Sequence, residues 1–150
     1  MSDEAHLNDL YQEVILDHSK NPRNFKALPE ANHQAEGYNP LCGDKVTVYL
    51  KLEDGVLQDI SFEGVGCAIS TAAASLMTQT LKGKNLPEIE ALFQGFHDLV
   101  TGKGGEASQM GKLAVFQGVS EFPVRVKCAT LVWHTLQAAL QQKQEAVSSE

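Results

Sequence analysis

The chain has 150 residues, enough for one domain with its own core, and its 43% hydrophobic and 21% charged content is ordinary for a globular protein. A formal net charge of −7 argues against a nucleic-acid partner, which would need clustered Lys and Arg to neutralise phosphates. No apolar run approaches the roughly 18 residues of a membrane span, and the acidic start MSDEAHLNDL is unlike a signal or transit peptide, so the expected compartment is the cytoplasm.

Taken in chain order, Leu7, Leu10, Tyr11, Val14 and Ile15 recur at helical spacing, which predicts a helix over residues 4–19 that Asn21-Pro22 stops. His18 continues that stripe and reads as a core-edge or partner-contact residue. Residues 23–40 are loop-like, with a short strand around Ala35–Tyr38. Val46, Val48, Leu50 and Leu52 then alternate with Thr47, Tyr49 and Lys51, the period-two pattern of a strand with one apolar face. Asp54-Gly55 supplies a hairpin turn, and the return strand covers about Leu57–Glu63 with Ile60 and Phe62 inward.

The period then changes. Ile69, Ala72, Ala73, Leu76, Met77 and Leu81 form a helical stripe ended by Gly83. Asn85, Pro87 and Glu88 resemble a capping box opening a helix that carries Ile89, Leu92, Phe93 and Phe96. Gly102, Gly104 and Gly105 make a break, followed by a short helix near Ala107–Phe116. The last helix starts at Phe122–Pro123 and ends near Gln142, and the polar tail, about 141–150, is expected to fray. Strands early and helices late predict an α+β fold, a small three-stranded antiparallel sheet with helices on one face, in a single domain spanning 1–150.

Three cysteines, Cys42, Cys67 and Cys128, are an odd number without a CxxC pair, which argues against a disulfide framework. Composition alone allows three unrelated core residues. Their contexts point elsewhere. Cys42 lies in the Pro/Gly/Asp loop "NPLCGDKV" before the first long strand, Cys67 opens a helix, and Cys128 lies in the first turns of the last helix. An antiparallel hairpin returns Cys67 to the sheet end where Cys42 begins. Helix N-termini favour thiolate, and three sulfurs with the Asp44 carboxylate supply the four donors of a tetrahedral zinc. Such a site has a formal charge of −2, which Arg125 and Lys127 are placed to offset. His134 follows Cys128 by six residues, about 240° around a helix, so the two do not share a face. His6, His33 and His97 read as surface residues. No Ser-His-Asp order, P-loop or GxGxxG supports nucleophile-triad or nucleotide chemistry.

The stretches "LYQEVILDHSKNPRNF", "NPLCGDKVTVYL", "FEGVGCAISTAAASLM" and "FPVRVKCATLVWHTL" together resemble the SufU branch of the IscU-like iron–sulfur cluster assembly proteins, over nearly the whole chain from Leu7 to Leu140. The resemblance implies an IscU/NifU-N-like fold and a SufS-type cysteine desulfurase as partner, with a cluster scaffold downstream. It further implies that Cys42, Asp44, Cys67 and Cys128 are metal ligands and that Cys42 receives persulfide sulfur. Lys127 stands where the IscU branch has a histidine, "EFPVRVK" replaces its chaperone-recognition run, and an insertion covers about Gly102–Val119. These features favour a zinc-dependent sulfurtransferase, a sulfur acceptor acting as second substrate of the desulfurase. The alternative is a scaffold assembling a transient [2Fe-2S] cluster on the same ligands. Thiolates serve either metal, so ligand identity does not choose between them.

Overall fold

A central hairpin sets the geometry of the molecule, seen here in a computed structural model that describes residues 12–40, 43–103, 110–141 and 147–148. Strands β2 (Asp44–Glu53) and β3 (Val56–Val65) are joined by Asp54 and Gly55, whose φ values of 54° and 75° give the two left-handed positions of a type I′ turn. Val48 then faces Phe62, and Leu50 faces Ile60. On the other side of β2 lies β1 (His33–Asn39), antiparallel, with Ala35 opposite Val48, Gly37 opposite Val46 and Asn39 opposite Asp44. The pleat sends Ala35, Gly37 and Asn39 inward from β1, and Asp44, Val46, Val48 and Leu50 inward from β2.

Both sheet edges are paired. Residues 24–26 cover β3, with Lys26 N–H donating to the Phe62 carbonyl at 2.9 Å and Phe62 N–H to that of Asn24 at 3.0 Å. At the β1 edge, β4 (Val147–Ser148) pairs in parallel with Gly37 and Tyr38. That edge would otherwise leave backbone groups unpaired, so at least these two residues of the tail are drawn to the sheet; 142–146 and 149–150 lie outside the described residues.

The helical layer packs on the inner face. Helix α1, described over residues 12–20, accounts for the second half of the expected 4–19 helix, the first half lying outside the described residues. Helices α2 (Ala68–Leu81) and α4 (Pro123–Leu140) lie on the sheet, and α3 (Leu86–Thr101) packs on α4. The capping box is real: Glu88 N–H donates to Asn85 Oδ1 at 2.9 Å and Asn85 N–H donates to Glu88 Oε1 at 3.2 Å. Phe96 stacks on Trp133 at 4.9 Å between ring centroids, and Phe116 meets Phe96 edge-on at 5.6 Å. The fold is the expected α+β arrangement, three antiparallel strands with helices on one face, to which the two-residue β4 adds a parallel edge strand that the expectation did not include.

One element differs in type. In place of a short helix near Ala107–Phe116, Gly111–Glu121 is a run of 3-10 turns; residues 107–109 lie outside the described residues. Leu113, Phe116 and Val119 are buried at three-residue spacing, the repeat of a 3-10 turn, and Ala114 and Val115 are buried beside them.

Candidate metal centre

Three of the four anticipated ligands converge at one end of the sheet. Cys67 is the N-cap of α2, extended at φ −73° and ψ 171°, and its sulfur accepts the Ser70 N–H at 3.4 Å. The position places the sulfur at the N-terminus of α2, against the positive end of the helix dipole. Asp44 is fully buried, the first inward residue of β2. Its Oδ1 accepts the Cys67 N–H at 2.9 Å, which fixes the carboxylate plane, while Oδ2 lies 3.9 Å from Cys67 Sγ. Gly66 makes room for this arrangement: a Cβ there would fall 2.8 Å from Asp44 Oδ1 and 3.2 Å from Ser70 Oγ.

Cys128 arrives from α4 and is buried. The helix reaches it by lying close on β1 at Gly37, where a Cβ would collide with Thr135 Oγ1 and sit 3.2 Å from Leu131 Cδ1. One donor atom each from Asp44, Cys67 and Cys128 lie within 4.8 Å of one another. Zinc–sulfur bonds of about 2.3 Å imply ligand separations of roughly 3.7 Å in a tetrahedron. A contraction of about 1 Å closes that gap, and two sulfurs and one carboxylate oxygen are the donor chemistry zinc takes. These three residues fit the ion. Cys42 lies outside the described residues. Gly43, the residue that follows it in sequence, adopts φ +70°, and the Gly43 N–H donates to the Asn39 carbonyl at 2.9 Å.

A further polar residue belongs to this cluster. Asn39 is fully buried, and its Nδ2 donates to Cys128 Sγ at 3.8 Å. The Asn-Pro dipeptide reads in sequence as a turn former; strand parity, which groups Asn39 with Ala35 and Gly37, is the signal that places it inside.

The remaining candidates lie elsewhere. His134 packs edge-on against Phe93 at 5.9 Å between α4 and α3, where burial, and secondarily the charge of His97, push its imidazole below the ordinary range. His33 and His97 are half-buried, and His6 lies outside the described residues. Arg125 does not pair with the cluster: it is exposed, its guanidinium 4.4 Å over the Phe122 ring. Lys127 makes no ion pair among the described residues. Beside the thiols opens a cleft of about 700 Å³, its walls including Ile15, Leu16, Ile69, Val119, Phe122 and Val124 along with Cys67 and Cys128. Leu16, Phe122 and Val124 on this cleft, and Val65 next to Gly66, are exposed apolar side chains. Among the described residues, no helix is long and apolar enough to cross a membrane.

The chain has counterparts among known proteins. The chain is 41% identical over 145 residues to the zinc-dependent sulfurtransferase SufU of Bacillus subtilis, covering 96% of this chain and 98% of that one. It is 38% identical over 141 residues to the iron–sulfur cluster assembly scaffold protein IscU of Streptococcus pyogenes, covering 93% and 88%. Among solved structures, a SufU described as a putative cluster assembly scaffold from Fervidobacterium islandicum superposes with a TM-score of 0.81 at 35% identity, covering 85% of this chain and 94% of that one. A NifU-like N-terminal protein from Brucella abortus gives 0.81 at 26% identity, covering 90% and 94%. The family model of the NifU-like N terminal domain matches residues 10–145, nearly the whole sequence, and the chain belongs to that family.

Proposed function

We propose that this protein is a zinc-dependent sulfurtransferase of iron–sulfur cluster assembly, accepting persulfide sulfur on Cys42 from a cysteine desulfurase in the cytoplasm. The observation that carries the proposal is the convergence of the Asp44, Cys67 and Cys128 donor atoms within 4.8 Å, with Cys42 two positions before Asp44 in the sequence. The 41% identity to a zinc-dependent sulfurtransferase supports it. Zinc, when bound, holds the coordinating sulfurs as thiolates at neutral pH.

The chain's own residues then divide the work. Asp44, held by the Cys67 N–H, and the two helix-borne cysteines form the fixed part of the site. Cys42 is the acceptor: its thiolate attacks the outer sulfur of the desulfurase persulfide. A sulfur–sulfur bond forms on Cys42, the one on the desulfurase breaks, and the desulfurase cysteine leaves as thiolate. One sulfur–sulfur bond replaces another and the transferred sulfur keeps its oxidation level and its proton, so no oxidant is needed. The exposed Leu16, Val65, Phe122 and Val124 around the site suit burial under the desulfurase, and the sulfur passes on to a cluster scaffold.

Mass spectrometry after incubation with desulfurase and free cysteine tests this. Added sulfur is expected on Cys42 of the wild type and on no residue of Cys42→Ala. Cys67→Ala and Cys128→Ala are expected to lose metal and sulfur acceptance together. Sulfur found on Cys67 or Cys128 with Cys42 unmodified would overturn the assignment. The relatives that are IscU scaffolds favour a second reading, a transient [2Fe-2S] cluster on the same ligands. Metal content separates the two: a colourless protein with bound zinc supports transfer, a brown one the scaffold.

A further inference from the structure

Asn39 plays no part in the reading above, yet its position is specific. A carboxamide without any solvent exposure is costly to bury unless its polar atoms are engaged. Here the Nδ2 group is aimed at Cys128 Sγ, 3.8 Å away, from a residue 89 positions earlier in the chain. The same residue faces Asp44 across the β1–β2 ladder, and its carbonyl receives the Gly43 N–H at 2.9 Å. Asn39 therefore meets Cys128 through its side chain, is register partner to Asp44, and accepts the Gly43 N–H through its backbone. An Asn selected only to form the Asn-Pro turn has no need of an inward, buried side chain.

We propose that Asn39 is a positioning residue for the metal centre, its carboxamide N–H orienting the Cys128 sulfur and withdrawing part of its charge. The proposal rests on reading Asp44, Cys67 and Cys128 as metal ligands. Hydrogen bonds to ligand atoms fix their orientation and tune the metal, and losing one costs about ten- to a hundredfold in metal affinity. A donated N–H also lowers the energy of the sulfur lone pair. Without it, sulfur-to-metal charge transfer needs less energy.

Cobalt(II) serves as the spectroscopic probe and zinc as the affinity probe, with wild type, Asn39→Asp and Asn39→Leu compared. Asn39→Asp keeps the volume and the backbone carbonyl while removing the donor. Asn39→Leu removes the donor without adding charge. Zinc affinity, measured by chelator competition, is expected to fall about tenfold or more in both. The thiolate-to-cobalt band of whichever variant folds is expected to move to longer wavelength, a change that a purely architectural role would not produce. Affinity and band position unchanged from wild type in a folded variant would overturn the role of Asn39 and leave the metal site standing. A wild-type protein with no thiolate-to-cobalt band would overturn the metal-site reading and this inference with it.

Discussion

At the scale of single residues, His18 shows how burial converts into pH dependence. It is 3% exposed on α1, and its Nδ1 lies 2.7 Å from Ser75 Oγ on α2. Ser75 Oγ already accepts the Arg23 N–H at 2.8 Å, so its hydroxyl proton is available to a neutral imidazole. Burial pushes the His18 pKa below its ordinary value; the Arg23 and Lys112 charges add to this, and Asp17 opposes it. The unfolded chain then takes up a proton near pH 6.5, where the folded one does not, so stability is full above that pH and is lost as pH falls through and below it. Metal-free protein held in chelator should show a melting temperature that is flat above about pH 7 and declines toward pH 5. His18→Asn should decline less steeply, with a remainder from His134, whose imidazole is shifted the same way. Equal slopes in the two proteins would refute the assignment. At the candidate metal centre, the closeness of Asp44 and Cys67 was legible because each stands at an element boundary that the hairpin brings together, and Cys128 was legible only as a candidate in the first turns of the last helix. Asn39 was not, since the turn signal of Asn-Pro masks the parity that carries its side chain inward. The expectation for Cys42 falls outside the described residues.

At the scale of elements, the position of α4 depends on one missing methyl group. Gly37 lets the helix approach β1 until Thr135 and Leu131 occupy the space of a side chain, and that contact places Cys128, a turn before Leu131, over the Asn39 end of the strand. Gly37→Val must move α4 outward and should cost about 1–3 kcal/mol in urea unfolding of the metal-free protein. It should also weaken zinc binding by carrying Cys128 away from Asp44. Gly118→Ala, where a Cβ meets nothing within 4 Å, is the control and should leave both unchanged. Zinc affinity undisturbed in a destabilised Gly37→Val would show that the site does not depend on this contact. The elements themselves were readable where local chemistry is strong. Asp54-Gly55 announced the hairpin and Asn85 with Glu88 the start of α3. The 3-10 run was read as a short ordinary helix because three-residue spacing is also one of the two α-helical spacings.

At the scale of the whole molecule, the proposed metal centre ties together parts that the chain connects only at a distance. Asp44 belongs to the sheet, Cys67 to the start of α2, and Cys128 to α4, separated by 84 positions from Asp44. The sequence pattern alone could place Cys67 at the sheet end shared with Cys42, because a hairpin requires it, whereas the arrival of α4 follows from three-dimensional packing at Gly37. Much of the buried core lies away from this centre, with Leu50, Leu57, Ile60, Phe96 and Trp133 each at most 1% exposed. The metal-free chain should therefore remain folded. It should still be less stable, since an ion that binds only the folded form stabilises it by about 4 kcal/mol at a thousandfold excess over Kd. For a chain of this size that corresponds to roughly 10 °C in Tm. Calorimetry of the zinc-loaded and chelator-stripped protein should show this drop with one cooperative transition retained in both. The drop should vanish in Cys128→Ala, which is expected to lose the ion. An unchanged Tm after complete removal of zinc would mean that the three segments do not share an ion.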